Sequence, residues 1–322
     1  MSTGAVQAVV DLGGDPVVRV LERVERRMSE LAGEYGPLLA RHAGETIAAG
    51  GKRLRPLLVC LAAGVPPPET DGLVRAAVAV ELVHGATLVH DDVLDGSPLR
   101  RGRPSVLAAG GRGVATATGD LLFSRAFAEL AGAGSVDAVR VLSQAACELA
   151  QGELLQRADV FAAQVSVERY LERCRLKTGV LFRAACELGA LESGRADLVL
   201  GAFGERIGLA FQLLDDVLDI SGPPERTGKP RGADLLDGTV TLPLILARER
   251  DPALGALDLR ALEGPATMAE VCDRIAATGA LEEATARALE LVSSAKLTLP
   301  PLPGSQRAAL ELVADGVVER YS

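Results

Sequence analysis

The pentapeptide Asp-Asp-Val-Leu-Asp occurs twice in the chain, at residues 91–95 and 215–219. Each copy follows a long apolar stretch with the spacing of a buried helix. Charges at the ends of two buried helices are tolerated only where water or cations can reach them. The repeat therefore predicts a helical bundle in which two helices bring their acidic ends to one open mouth.

Composition favours helices over strands. Apolar residues make up 48% of the 322 residues, aromatic residues only 3%, and Trp is absent. The apolar mass is mostly Ala, Leu and Val, and Ala and Leu lead the ranking of helix propensity. Stretches that alternate apolar and polar residues, as half-buried strands do, are few. The sequence therefore predicts an all-α protein with ample material for a large core.

Helical spacing runs from about residue 16 to the C-terminus. Residues 1–15 carry two glycines near their end and are expected to form a loose lead-in, and 16–322 a single large helical bundle. One apolar face marks the first helix: Val17, Val20, Leu21, Val24 and Met28. The further predicted helices are 70–95, capped by Thr70 or Asp71, then 113–132, 135–157, 166–191 and 194–220, with several shorter ones over 241–320.

Two segments between these helices are expected to be irregular. Residues 96–104 form a short polar link. Residues 221–240 are rich in Gly and Pro and predict a long loop. Long loops inside a compact domain are often functional, so this one is a candidate lid.

Charge and cysteine content exclude several classes of protein. The net charge of −9 disfavours nucleic acid as a partner. The richest apolar stretch, 74–89, is interrupted by charged residues, and the N-terminus lacks the pattern of a signal peptide, so no transmembrane segment is expected. Five cysteines without metal-site spacing indicate buried thiols in a reducing, cytoplasmic setting: Cys60, Cys147, Cys174, Cys186 and Cys272.

The chemistry of the repeat points to a divalent cation. On a helix, Asp91 and Asp95 are stacked neighbours whose charges repel. Carboxylates are also unfavourable at a helix C-terminus, which argues against a capping role. Mg²⁺ would reverse both costs, because it prefers oxygen ligands and is typically held by one or two carboxylates plus phosphates. A single copy could be a solvated acidic helix end; two identical copies favour a metal–diphosphate site.

Basic residues near the repeats could bind the anion. Residues 50–56, Gly-Gly-Lys-Arg-Leu-Arg-Pro, carry three cations, and Arg100 and Arg101 follow the first repeat. Lys177 lies on an apolar segment, where an unpaired ammonium would be costly, and Lys229 follows the second repeat. Each could instead be ordinary surface charge. Arginine binds phosphate oxygens in a fork and lysine as a point charge.

In this order the motifs resemble the trans-isoprenyl diphosphate synthases, the polyprenyl synthetase family. The resemblance extends from about residue 16 to the C-terminus. It is carried by 50–56, by 91–95 with Arg100-Arg101-Gly102, by Lys177-Thr178, by 211–219 with Gly228-Lys229, and by Thr241-Leu242-Pro243. The family resemblance implies an all-α helical bundle of the isoprenoid synthase type with a central active-site cavity. It also implies a cytoplasmic, homodimeric prenyltransferase that requires Mg²⁺, with about three ions per active site.

The resemblance also implies individual roles. The principal Mg²⁺ ligands would be Asp91, Asp95 and Asp215, assisted by Asp92, Asp216 and Asp219. The allylic diphosphate would be held by Arg100, Lys177, Gln212 and Lys229. Isopentenyl diphosphate would be held by Lys52, Arg55, His84 and Arg101. Dipoles of Thr178 and the Lys177 carbonyl would stabilise the allylic cation. Relatives often carry Gly-Lys where this chain has Gly238-Thr239, which removes a secondary cation.

The product length is read from the helix that ends in the first repeat. Short-chain relatives usually place an aromatic residue four or five positions before the motif, whereas this chain has small residues there. A long product is therefore expected, with geranylgeranyl diphosphate as the alternative. The expected wall of the tail site is Thr87, Ala86, Val83 and Ala79.

Two rival functions use related motifs. A terpene cyclase usually has a different second metal motif and needs no isopentenyl-binding cations. A non-catalytic subunit of a heteromeric synthase typically loses one Asp motif, and this chain keeps both.

Overall fold

The computed structural model describes residues 3–34, 42, 44, 46, 53–100, 102–162, 164–194, 199–222, 231–262 and 264–319. These ranges are almost entirely helical, which confirms the all-α prediction. The α-helices are α1 (Thr3–Gly33), α2 (Leu54–Ala63), α3 (Asp71–Asp95), α4 (Val106–Gly132), α5 (Val136–Asp159), α6 (Val167–Cys174), α7 (Val180–Glu192), α8 (Val199–Ser221), α9 (Ala233–Leu236), α10 (Leu242–Arg250), α11 (Pro252–Gly255), α12 (Gly264–Ala277), α13 (Ala280–Leu297) and α14 (Gly304–Glu319).

Four short elements complete the described chain. The strands β1 (Leu99–Arg100) and β2 (Arg103–Pro104) pair antiparallel in the link between α3 and α4. A π-helical turn (Arg175–Gly179) joins α6 to α7, and a 3-10 turn (Leu259–Ala261) lies between α11 and α12.

The N-terminal segment differs from the expected loose lead-in. The described residues from Thr3 onward are helical, and Val9 is fully buried. The break is confined to Gly14, whose φ of 68° is accessible to glycine because it has no Cβ. After the break, Val17 and Met28 are buried, which confirms the predicted buried face of this helix.

Helix α3 is the core of the bundle and packs against α2, α4 and α7. Its start is the predicted cap, since Thr70 Oγ1 accepts a hydrogen bond from the Leu73 N–H at 3.1 Å. Within the described ranges it is the one helix long and apolar enough to cross a membrane, but 67% of its most apolar window is buried inside the protein. This burial is typical of a core helix, and it brings the first Asp repeat to the end of the bundle.

Two predicted elements are revised. The helix expected over 166–191 is interrupted by the π-helical turn, and the loop expected over 221–240 contains the short helix α9. Four of the five cysteines are buried, but Cys147 is exposed because it lies on the outer side of α5, contrary to the expectation of five buried thiols.

Candidate active site

Both Asp repeats line one cavity of about 470 Å³, formed where α3 and α8 end. Asp91 and Asp95 face it from α3, and Asp215 and Asp216 face it from α8. The cavity thus brings together two segments that are more than a hundred residues apart in the chain. The other predicted site residues on its wall are Arg55, His84, Thr87, Arg100, Lys177, Thr178 and Gln212.

The first repeat divides into two kinds of carboxylate. Burial raises the pKa of Asp91 to about 6, and the neighbouring Glu153 and Asp95 contribute to the rise. Asp95 accepts a hydrogen bond from Arg157 Nη2 at 2.5 Å. Asp92, in contrast, is buried and accepts from Arg100 Nε at 2.9 Å. Asp92 is therefore placed to orient Arg100 and does not line the cavity.

The second repeat is organised by a hydrogen-bonded network around Asp216. The Tyr170 hydroxyl donates to Asp216 Oδ2 at 2.7 Å, and Gln212 Nε2 donates to Oδ1 at 2.8 Å. The Thr178 hydroxyl donates in turn to Gln212 Oε1 at 2.8 Å. Burial raises the pKa of Asp216 to about 7, with a smaller contribution from Asp234. The network fixes both oxygens of this carboxylate.

Asp219 lies behind this network. Its carboxylate accepts a hydrogen bond from the Asp234 N–H at 3.3 Å, and its side chain is buried outside the cavity wall. Its position supports the connection to α9, and its assisting role at the metal, direct or through water, stays a prediction.

Lys177 enters the cavity from the π-helical turn. Its ammonium lies 2.6 Å from Glu153 Oε2 and donates to Gln156 Oε1 at 2.9 Å. Helix α5 can approach the turn closely because residue 152 is glycine: a Cβ there would lie 2.9 Å from the backbone nitrogen of Lys177. The π-helical turn and this close contact together place the lysine.

Sequence reasoning missed the polar face of α5. Glu153, Gln156 and Arg157 share one side of the helix at three- and four-residue spacing and reach Lys177 and Asp95. The three- and four-residue spacing of these polar side chains was the available signal. A further missed residue, the buried Arg173, binds Asp159 and the Val240 carbonyl at the cavity edge.

The groups expected to bind isopentenyl diphosphate are partly described. Arg55 and His84 line the cavity, and the Arg55 guanidinium lies 4.8 Å above the Phe182 ring, within cation–π distance. Thr239 also reaches the cavity wall. The predicted residues Lys52, Arg101 and Lys229 lie outside the described residues.

A second, apolar groove of about 490 Å³ adjoins the site between α3, α4 and α5. It touches Asp91 and Lys177 and is lined by Thr87, Leu94, Phe123 and Leu149 among others. Phe123 stacks on His90 with ring centroids 5.9 Å apart. The groove therefore starts at the charged cavity and leads away from it along apolar surface.

Three of the four residues expected on the wall of the tail site do not line this groove. Ala79, Val83 and Ala86 are fully buried in the core, and only Thr87 lines the groove. Ala86 lies about 140° around the helix from Asp91, whereas Thr87 lies about 40° away. Counting residues along α3 placed the alanine near the motif, but its helical angle turns it toward neighbouring helices.

The cavity fits a divalent cation bound together with an anion. Its carboxylates supply oxygen donors, and burial, the main cause of the raised pKa of Asp91, disfavours the charged carboxylate, a cost that a bound cation would relieve. Among the described residues, no group of three acidic or other ligating side chains closes on one point. Mg²⁺ does not need such a cage, because it keeps waters and binds one or two carboxylates plus substrate phosphates.

Comparison with known proteins agrees with this geometry. The family model for polyprenyl synthetase matches residues 37–275. The chain is 38% identical to component 2 of heptaprenyl diphosphate synthase from Geobacillus stearothermophilus, over 95% of both chains.

Solved structures show the same fold over nearly the whole chain. A polyprenyl synthase from Caulobacter crescentus, complexed with calcium and isoprenyl diphosphate, superposes with a TM-score of 0.88 at 36% identity, over 98% of both chains. A decaprenyl diphosphate synthase from Rhodobacter capsulatus has a TM-score of 0.88 at 31% identity, over 97% of this chain and 99% of that one. By the extent of these matches, the chain belongs to the polyprenyl synthetase family.

Proposed function

We propose that the protein joins isopentenyl diphosphate to an allylic diphosphate and repeats the addition to make a long-chain polyprenyl diphosphate. One observation carries this proposal: the two Asp repeats meet across a cavity that also contains Arg55, Arg100 and Lys177 and adjoins an apolar groove. A charged end and an apolar tail are the two parts of both substrates and of the product. The relatives named above as heptaprenyl and decaprenyl synthases support the long chain.

The allylic diphosphate is assigned to the space between the two repeats. Asp91, Asp95 and Asp215 would hold Mg²⁺, which when bound supplies Lewis-acid stabilisation of the charge on the departing diphosphate. Lys177, fixed by Glu153, adds a preorganised positive charge at the same place. Arg100, held by Asp92, adds a second. The site therefore favours breaking the bond between the allylic carbon and the diphosphate oxygen.

The isopentenyl unit is assigned to the side of Arg55 and His84. Its double bond attacks the allylic cation, and a proton is then lost to an oxygen of the departing diphosphate. The Thr178 hydroxyl, whose proton points to Gln212, leaves its lone pairs available to stabilise the cation. Apolar groove residues keep water from the cation, which water would otherwise convert to an alcohol.

The apolar groove is assigned to the growing tail. Burial of apolar surface is favourable by about 25 cal/mol per Å², so each added unit that enters the groove helps to retain the intermediate for another cycle. Thr87 stands where the tail passes from the charged cavity to the groove, and it lines both.

Assembly and location are part of the proposal. We infer an active, cytoplasmic homodimer, consistent with five free cysteines and with the exposed groove residues Leu94 and Leu154, which a second copy could cover. The name "component 2" of the Geobacillus relative supports an alternative in which another chain is required.

The direct test is incubation of the purified protein alone with Mg²⁺, farnesyl diphosphate and isopentenyl diphosphate, followed by chromatography. Prenyl diphosphates longer than geranylgeranyl diphosphate are expected. Accumulation of geranylgeranyl diphosphate would favour the short-chain alternative, and a cyclic hydrocarbon would indicate a terpene cyclase. If product forms only after another synthase subunit is added, the active enzyme is a heteromer and the proposed homodimer is wrong.

A further inference from the structure

Arg53 has an unusual backbone conformation at the start of α2. Its φ of 46° and ψ of 38° lie in the left-handed region, which is unfavourable for a residue with a Cβ. Its carbonyl accepts a hydrogen bond from the Leu57 N–H at 2.9 Å and so begins the helix. Surrounding contacts must hold such a conformation, and a conformation of this kind often has a functional reason.

Two carboxylates from different helices hold the Arg53 side chain. Nη1 donates to Glu81 Oε1 of α3 at 2.8 Å, and Nη2 donates to Glu25 Oε2 of α1 at 3.1 Å. Only 16% of the Arg53 side chain and 8% of the Glu81 side chain are exposed, so solvent screens this pair little. Arg53 therefore ties the start of α2 to two other helices.

The Arg53 ion pairs lie next to the residues proposed to bind isopentenyl diphosphate. Glu81 precedes His84 by three residues, so the two are neighbours on one face of α3. A cavity of about 20 Å³, roughly the size of one water, is lined by Arg53, Glu81 and His84. Arg55 follows Arg53 by two residues and lines the main cavity. A displaced Arg53 would thus disturb both groups.

We propose that Arg53 is a positioning residue for isopentenyl diphosphate, acting through Arg55 and His84. Its ion pairs with Glu25 and Glu81 hold the start of α2 in the conformation that aims Arg55 into the cavity and support His84 through α3. Of the two arginines in 50–56, the first orients and the second binds. The inference rests on the proposed role of Arg55 and His84.

The test is steady-state kinetics of Arg53→Gln, Arg53→Lys and Glu81→Gln with each substrate varied. Arg53→Gln should raise the KM for isopentenyl diphosphate about tenfold, the scale of one lost charge-assisted contact, and change the KM for the allylic substrate by less than about twofold. Glu81→Gln should reproduce the effect, the double variant should be no worse than either single one, and Arg53→Lys should restore part of it.

The matched control is Arg19→Gln. Arg19 also ties α1 to a neighbouring segment, through a two-point ion pair with Glu69, but it lies on the surface. It should leave both KM values unchanged. Thermal unfolding of every variant checks folding, and the milder Glu25→Gln replaces Arg53→Gln if the latter does not fold.

Three results would overturn the inference. An unchanged KM for isopentenyl diphosphate in Arg53→Gln, or an equal rise for both substrates, would assign Arg53 a purely structural role. Arg55→Gln, measured in parallel, shows whether only the positioning role of Arg53 has failed or the proposed binding role of Arg55 has failed as well. If Arg55→Gln raises the KM for isopentenyl diphosphate and Arg53→Gln does not, only the positioning role is lost; if Arg55→Gln has no effect, both fall.

Discussion

The ammonium of Lys177 lies 2.6 Å from the Glu153 carboxylate, so a lysine of the π-helical turn is held by an acid on the facing helix α5. Arg157 Nε donates to the other oxygen of the same carboxylate at 2.6 Å. Burial alone would raise the pKa of Glu153, but Lys177 and Arg157 lower it below its usual value. Glu153 is thus an ionised anchor for two cations on the cavity wall.

Removing this anchor should weaken catalysis. Glu153→Gln keeps the shape of the side chain but loses the charge, so Lys177 is no longer held toward the diphosphate. We expect kcat/KM for the allylic substrate to fall by about 10- to 100-fold, the equivalent of one or two charge-assisted hydrogen bonds. Glu148→Gln, which breaks ion pairs of the same helix outside the cavity, is the control. Equal losses in the two variants would argue against the anchoring role.

Product length should respond to the groove and not to the core. Thr87→Phe places a ring where the groove begins and should shorten the product. Ala86→Phe overpacks a fully buried position and should instead destabilise the fold by about 1–3 kcal/mol. Chromatography of the products and denaturant unfolding of both variants separate the effects. If Thr87→Phe leaves the product length unchanged, the growing tail does not bind in this groove.

Local features of the fold could be predicted from the sequence, whereas contacts between distant segments could not. Apolar spacing and caps are local, so the face of α1 and the start of α3 at Thr70 were predictable. The pairing of Arg157 with Asp95, 62 residues apart, depends on tertiary packing that spacing does not encode. The π-helical turn was missed because one extra residue per turn barely alters a short apolar pattern.

The helices of the N-terminal half should depend on one buried carboxylate. Glu129 on α4 is 1% exposed and pairs with Arg27 of α1, Arg75 of α3 and Arg125 of its own helix. Glu129→Gln leaves three partly buried guanidinium groups without this charge and should cost about 3 kcal/mol of unfolding free energy. Asp137→Asn breaks an exposed pair with Arg140 and should cost under about 0.5 kcal/mol. Urea denaturation measures both, and equal midpoints would contradict the prediction.

Glu187 should make stability depend on pH. Burial raises its pKa to about 7, helped by Glu148 and Glu205 and opposed by Arg183. Because the folded pKa lies above the unfolded one, the stability present in acid is lost as pH rises through about 7. Glu187→Gln should therefore match wild type near pH ~4 and exceed it near pH ~8, by about 1–2 kcal/mol after allowance for partial exposure.

The control for this prediction is a carboxylate whose pKa is shifted in the opposite direction. A hydrogen bond from Arg175 lowers the pKa of Glu172, so Glu172→Gln should be slightly less stable than wild type at neutral pH and lose that difference in acid. Unfolding curves across this pH range test both variants. A Glu187→Gln variant with a constant stability difference at every pH would refute the assignment.

The central claim is that the two Asp repeats act as one metal–diphosphate site, and turnover of Asp91→Ala, Asp215→Ala and the double variant tests it most directly. Each single variant should lose about 10²–10³-fold in turnover at saturating Mg²⁺, the scale of one lost charge-stabilising element. The double variant should lose far less than the product of the two single losses, because residues of one site act together. Turnover within about threefold of wild type for either single variant would contradict the account, as would fully multiplicative losses in the double variant.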